Sequence, residues 1–202
     1  MAVNEKVKVI GLTGMSGAGK STACKLFKAE GFDVIDCDLI CRDIVGKGKP
    51  CLLEIAEVFG DAVLSGDGSL DRAKTGRIIF SDDEKRRLLN GIMYPYVSYI
   101  VINTIIGMDK GLVVLDAPTL FESAIDSICD SIVSIVADKE VLLSRIESRD
   151  SISREQAENR LASQHDTGFF SERSDHLIKN NGSSEEFFSD IMKTIKMIKE
   201  GK

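Results

Sequence analysis

None of the five cysteines, Cys24, Cys37, Cys41, Cys51 and Cys129, stands in a CxxC spacing. An odd count completes no disulfide framework, so reduced thiols in small apolar niches are expected. The two histidines, His165 and His176, have no metal-ligand spacing and read as ordinary residues. Basic residues do not predominate: Lys+Arg 26 against Asp+Glu 32 gives a net charge of −6. That balance argues against a nucleic-acid or membrane-surface partner, since either favours a basic face. An anionic small ligand remains compatible, because a few cations and backbone amides can hold phosphates in an acidic protein. Met1 to Lys8 is polar and lacks the apolar stretch of a signal peptide. No uninterrupted apolar run is long enough to span a bilayer. A cytoplasmic protein, monomeric or weakly homo-oligomeric, is expected. Repeats, low-complexity segments and long linkers are also missing.

What is present suits one globular core with one or two small insertions. The 202 residues are 43% hydrophobic and 29% charged, enough to bury a core without staples. Lys6 to Thr13 is a β-branched apolar run that reads as a buried parallel strand. Lys20 to Glu30 has helical spacing and stops at Gly31, and Phe32 to Ile35 reads as a second strand. This βαβ order predicts a parallel sheet with right-handed crossovers. Further strands are expected at Gly111 to Leu115, Ser131 to Ala137 and His176 to Ile178. Ser81 with Glu84, Ser153 with Gln156, and Ser183 with Glu186 read as capping boxes, and Asp138 as a cap for a helix to Arg149. Two helical stretches, roughly 51–108 and 145–174, interrupt the alternation. Such insertions commonly carry a substrate site and a mobile lid.

Gly14-Met-Ser-Gly-Ala-Gly19-Lys20-Ser21 fits GxxxxGK[ST] between a buried strand and a helix. Glycines let backbone N–H groups turn inward around phosphates, and the helix N-terminus adds its positive dipole end. Gly14, Gly17, Ala18, Gly19, Lys20, Ser21 and Thr22 are therefore the candidate nucleotide-binding set. Lys20 suits the β- and γ-phosphates and Ser21 the Mg²⁺ that accompanies ATP. The motif identifies nucleotide binding, not the reaction. No Asn-Lys-x-Asp guanine signature and no Leu-Ser-Gly-Gly-Gln segment accompanies it, so a small kinase fits better than a GTPase or an ABC-type ATPase.

Ligand sites in parallel α/β sheets gather at the carboxyl ends of strands. Asp36 and Asp38 follow the second strand there, and phosphoryl transfer needs a carboxylate to orient and deprotonate the acceptor hydroxyl. Arg42, four residues after Asp38, can clamp a substrate phosphate or pair with Asp38.

The segment Asp36-Cys37-Asp38-Leu39-Ile40-Cys41-Arg42 resembles the D-A-D-x-I-A-R signature of the dephospho-coenzyme A kinases, with Cys37 and Cys41 in place of alanines. Phe59-Gly60, Asp67-Gly68 and Leu70-Asp71-Arg72 resemble that family's F-G…D-G…L-D-R block. Leu89-Asn90-x-Ile92 resembles its L-N-x-I, but Tyr94-Pro95 stands where the family has His-Pro. Leu115-Asp116-Ala117-Pro118-Thr119-Leu120-Phe121-Glu122 is similar to L-D-x-P-L-L-F-E, with Thr119 departing from leucine. Arg145, Arg149, Arg160, Gln164 and Asn181-Gly182 fall at later landmarks, so the resemblance covers nearly the whole chain.

The resemblance implies transfer of the ATP γ-phosphate to the ribose 3′-hydroxyl of dephospho-coenzyme A, the last step of coenzyme A synthesis. It implies an α/β, P-loop NTPase-type three-layer fold. The nucleotide-binding core would comprise residues 1–50, 109–144 and 175–202. Residues 51–108 would form a helical substrate-binding insertion, and residues 145–174 a helical lid. Asp38 becomes the general base, with Arg42, Arg72 and Pro118 as substrate contacts. Asp116 becomes a candidate for Mg²⁺, or else a cap for the following turn, with Glu122 a weaker acidic candidate. Arg145 and Arg149 take the place of lid arginines, the alternative being a solvated face paired with Glu147 or Asp150. The turn Asn180-Asn181-Gly182 after the last strand, with Asn181 as the candidate contact, would lie beside the adenine or simply form a loop. Two other readings stay open: a P-loop kinase for a different alcohol, and a regulatory nucleotide-binding module.

Overall fold

The computed structural model describes residues 3–80 and 82–201, with the side chain of Phe80 left aside. In chain order the elements are β1 (Val7–Gly14), α1 (Lys20–Ala29), β2 (Asp33–Asp36), α2 (Cys37–Ile44), α3 (Pro50–Phe59), α4 (Arg72–Phe80) and α5 (Asp83–Ile106). Then follow β3 (Gly111–Asp116), β4 (Ser131–Val136), α6 (Lys139–Asp150), α7 (Arg154–Ala162), α8 (Thr167–Arg173), β5 (His176–Lys179) and α9 (Ser184–Glu200). They divide into two compact units: Met1–Ile35 with Met108–Lys202, and Asp36–Gly107.

The first unit is the α/β core of a P-loop NTPase-type fold. Its sheet has the order β2-β3-β1-β4-β5, and the pairings β1–β3, β1–β4 and β4–β5 are parallel. β1 lies in the middle, which explains its largely apolar sequence: Val9, Ile10, Leu12 and Thr13 are all buried. Asp116 is the register partner of Leu12, and Ile135 that of Gly14, so all three strands end together at one edge. The core gains Phe27 of α1, packed edge-on against Phe32 at 5.0 Å. α9 adds Phe187, Ile191, Ile195 and Ile198, a buried stripe at helical spacing.

The capping boxes at Ser153/Gln156 and Ser183/Glu186 are both formed. Asp138 does precede α6, but its side chain makes no capping bond; its backbone N–H donates instead to the Asn181 side chain at 2.8 Å. The expected box at Ser81 lies outside the described residues, and Asp82 caps α5 by accepting from the Glu84 and Lys85 amides. α8 is a separate helix that the spacing alone had not marked off, opened by Asp166 accepting from the Phe169 amide.

The second unit is helical. Asp36 caps α2 through the Leu39 amide, and Pro50 opens α3 at its first turn. Its buried residues include Leu52 and Ile55 of α3 and Leu89, Ile92, Val97, Val101 and Ile105 of α5, the longest helix and the spine of this unit. By length and composition α5 is also long and apolar enough to cross a membrane, with 28% of that window buried. No uninterrupted apolar run marks it in the sequence, because Asn90, Ser98, Asn103 and Thr104 break it up. Pro95 lies inside the helix without ending it.

Candidate active site

The loop between β1 and α1 is shaped by close backbone contact. A Cβ on Gly14, at φ 143°, would lie 2.1 Å from the Ile135 carbonyl oxygen. A Cβ on Gly19, at φ 109°, would lie 2.7 Å from the Asn180 side-chain nitrogen. Both conformations belong to glycine, and neither site has room for another residue. The Met15 amide donates to the Ile135 carbonyl at 3.0 Å, which pins the loop to β4. Gly19 then caps α1, so Lys20, Ser21 and Thr22 form the first turn of a helix aimed from the sheet edge.

The Lys20 ammonium is ion-paired with the Asp116 carboxylate at the end of β3. Only 17% and 15% of the two side chains are exposed, so the pair is held in partly desolvated surroundings where its attraction is felt. Ser21 and Thr22 are exposed. Pro118 is half-buried, and its carbonyl accepts from the Thr13 hydroxyl at 3.3 Å.

Helices α6 and α7 close over the loop from the other side. Arg149 donates to the Ser16 hydroxyl at 3.3 Å and pairs with Asp150. It is therefore both a phosphate-loop neighbour and a member of the surface ion pair weighed against that role. Arg160 pairs with the same Asp150, and the two arginines hold its carboxyl below the usual carboxylate range, the Arg149 hydrogen bond first. Glu147 pairs with Arg154 instead. Arg145 is half-buried and donates to the Asn180 carbonyl at 3.0 Å and its side-chain oxygen at 3.4 Å.

Asn180, in the turn after β5, and Gln164, a landmark of the resemblance, make contacts that the sequence did not foretell. The buried Asn180 side chain donates to the Ala18 carbonyl at 2.7 Å, tying the turn after β5 to the phosphate loop. The neighbouring Asn181, singled out from the sequence, is exposed and engages Asp138. Gln164 accepts from the Ser16 amide at 2.8 Å. His165 also has a defined place: it contacts Glu122 at 3.2 Å and stacks on Phe169 at 3.6 Å.

In the second unit, Asp38 is exposed in the first turn of α2, where a carboxylate is favoured by the helix dipole. Arg42 and Arg72 are exposed, the former in the last turn of α2 and the latter opening α4. Burial raises the Cys41 thiol, with Asp38 and Asp36 adding to the shift. Burial, then Glu54 and Cys41, pushes the Cys51 thiol up to about 11. Both remain protonated at neutral pH and act as small apolar side chains there.

Residues 8–186 match the family model described as dephospho-CoA kinase. The chain belongs to the dephospho-CoA kinase family. That family carries out the last step of coenzyme A biosynthesis, and the chain is a phosphotransferase of this kind with a nucleotide substrate. The dephospho-CoA kinase of Enterococcus faecalis is 36% identical over 92% of this chain and 94% of its own. That of Arabidopsis thaliana is 36% identical over 94% and 83%. The solved dephospho-CoA kinase from Campylobacter jejuni superposes with a TM-score of 0.70, at 28% identity over 96% of this chain and 98% of its own.

Proposed function

We propose that this chain transfers the γ-phosphoryl group of ATP to the ribose 3′-hydroxyl of dephospho-coenzyme A, giving coenzyme A and ADP. The observation that carries the reading is the glycine-shaped loop at the end of the central strand, with Lys20 and Asp116 meeting beside it. In this scheme Asp38 takes the proton of the 3′-hydroxyl as that oxygen bonds to the γ-phosphorus and the bond to the β-phosphate oxygen breaks. Asp38 is exposed at the start of α2, just past the end of β2, while the Asp36 side chain caps that helix. The amides of Gly17 to Thr22 and the Lys20 ammonium hold the phosphates, with Lys20 turning to them from Asp116. Arg149 and Arg145 neutralise charge on the transferring group and its nucleotide. Arg42, Arg72 and Pro118 bind the acceptor, and Asn181 lies beside the adenine.

Magnesium fits the donors present. The Ser21 hydroxyl and the Asp116 carboxylate are hard oxygen ligands, and two such groups with water and phosphate oxygens are what this ion prefers. Among the described residues no cluster of three or more His, Cys, Asp or Glu side chains could form an all-protein metal cage. Bound there, Mg²⁺ would offset charge on the triphosphate.

We assign residues 145–174 to a lid, 51–108 to the acceptor-binding insertion, and the remainder to the nucleotide core. A cytoplasmic monomer or weak homo-oligomer without nucleic-acid or membrane partners suits the charge of −6. The deciding experiment measures ADP formation from ATP with and without dephospho-coenzyme A. Acceptor-dependent ADP is expected. Acceptor-independent hydrolysis, or turnover only with other alcohols, would overturn the assignment.

A further inference from the structure

Gln164 follows the end of α7, half-buried at the tip of the phosphate loop. Its side-chain oxygen accepts from the Ser16 amide at 2.8 Å, and its side-chain nitrogen donates to the Arg160 carbonyl at 3.0 Å. The Arg160 guanidinium pairs with Asp150. Asp150 in turn accepts two bonds from Arg149, at 2.8 Å from Nε and 2.9 Å from Nη2. Arg149 Nη2 then returns to the Ser16 hydroxyl at 3.3 Å. The contacts close a ring, Ser16–Gln164–Arg160–Asp150–Arg149–Ser16.

The ring has a chemical consequence. An exposed arginine samples many rotamers, and holding it in one orientation requires partners on more than one side. Here Asp150 fixes the fork of Arg149 from the helix, and Ser16 receives its far end. Gln164 sets the distance between them by bonding the Ser16 backbone, which a rotating side chain cannot substitute. Because Asp150 is shared, it keeps Arg160 as a partner if Arg149 turns towards a phosphate. No carboxylate is then stranded without a partner. Gln164 makes no step of the reaction itself.

We infer that Gln164 is a positioning residue for phosphoryl transfer: its carboxamide clamps α6 and α7 to the Ser16 amide and so aims Arg149 at the phosphate loop. The inference rests on the reading that Arg149 meets the transferring phosphoryl group.

The test compares the full chain with Gln164→Met, Arg149→Ala and the double variant. Methionine keeps the length and flexibility of glutamine without its carboxamide. The measurements are kcat and KM for ATP at saturating dephospho-coenzyme A, thermal unfolding, and hydrogen exchange of the Ser16 amide without nucleotide. Gln164→Met should unfold at an unchanged temperature, exchange Ser16 faster, and lose about 10- to 100-fold in kcat. Its KM for ATP should stay within about threefold. The double variant should be no slower than Arg149→Ala by more than about threefold, because both changes remove one function. Additive losses, a raised KM with intact kcat, or unchanged Ser16 exchange would overturn the inference. Full turnover in Arg149→Ala would overturn it too, while acceptor-dependent ADP formation by the unaltered chain would leave the reaction assignment standing. Absence of that ADP would sink both.

Discussion

The phosphate-loop glycines and several glycines of the helical unit differ sharply in what surrounds them. In the nucleotide-binding unit, Gly14 and Gly19 lie where an added Cβ would run into backbone or side chain at 2.1 and 2.7 Å. In the helical unit, Gly48, Gly60, Gly66, Gly76 and Gly91 have nothing within 4 Å of that position. The loop of the first unit is thus folded to one shape by contacts that leave Gly14 and Gly19 no room for another residue. The second unit has exposed side chains on its helices, Asp38, Arg42 and Arg72 among them, to which the proposed function gives the chemistry of the acceptor. Substitutions should therefore act on shape in the one and on chemistry in the other.

The largest effect is expected at Gly14. Gly14→Ala must both adopt φ 143° and push the Ile135 carbonyl away. A loss on the order of 4 kcal/mol or more in unfolding free energy is expected, with nucleotide binding abolished, as read from urea melts and ATP titration. A variant that melts normally would remove the distinction between the units at its strongest point.

Next comes Asp38. Asp38→Asn preserves shape and should leave unfolding unchanged while kcat falls about 10²- to 10⁴-fold at saturating substrates. Asp36→Asn is its control, because asparagine caps a helix about as well as aspartate and the bond from the Leu39 amide survives. Steady-state kinetics on both variants separates them. If Asp36→Asn is dead and Asp38→Asn turns over normally, the base has been assigned to the wrong carboxylate.

The smallest effect is a gain. Gly91 is exposed in the interior of α5 with open space around it. Gly91→Ala should stabilise the chain by about 0.5–1 kcal/mol without altering kcat, since it only removes backbone freedom from the unfolded state. Thermal unfolding and turnover check it. A loss of activity would mean that this helix face is less open than the second unit by itself suggests.

The same contrast governs what could be read from the sequence. The phosphate loop was legible because its constraints are local: a strand, a turn that only glycine can make, and a helix start lie within some fifteen residues. The capping boxes at Ser153 and Ser183 were legible for the same reason. The partners of Arg145 and Arg149 were only partly so. Asp150, adjacent to Arg149, could be weighed in advance, but the Ser16–Gln164 bond joins residues 148 apart and Asn180–Ala18 joins residues 162 apart. No periodicity encodes such pairs, because they depend on where β5 and α7 come to rest. The Asn180-Asn181-Gly182 turn is legible in the sequence, but not that Asn180, rather than Asn181, has the buried side chain that grips the loop.

The central place of β1 bears on how the chain is made. β1 leaves the ribosome well ahead of its register partners, which begin at Gly111 and Ser131. At typical synthesis rates, roughly 100 residues take on the order of 10 s to appear. Throughout that interval an apolar strand waits with both edges unpaired, a state prone to joining other chains. The helices of residues 36–107 emerge meanwhile and rely on contacts closer in sequence. Newborn chains are thus most exposed to aggregation between the appearance of β1 and that of β3, and a chaperone that shields an extended apolar segment such as β1 would serve them best.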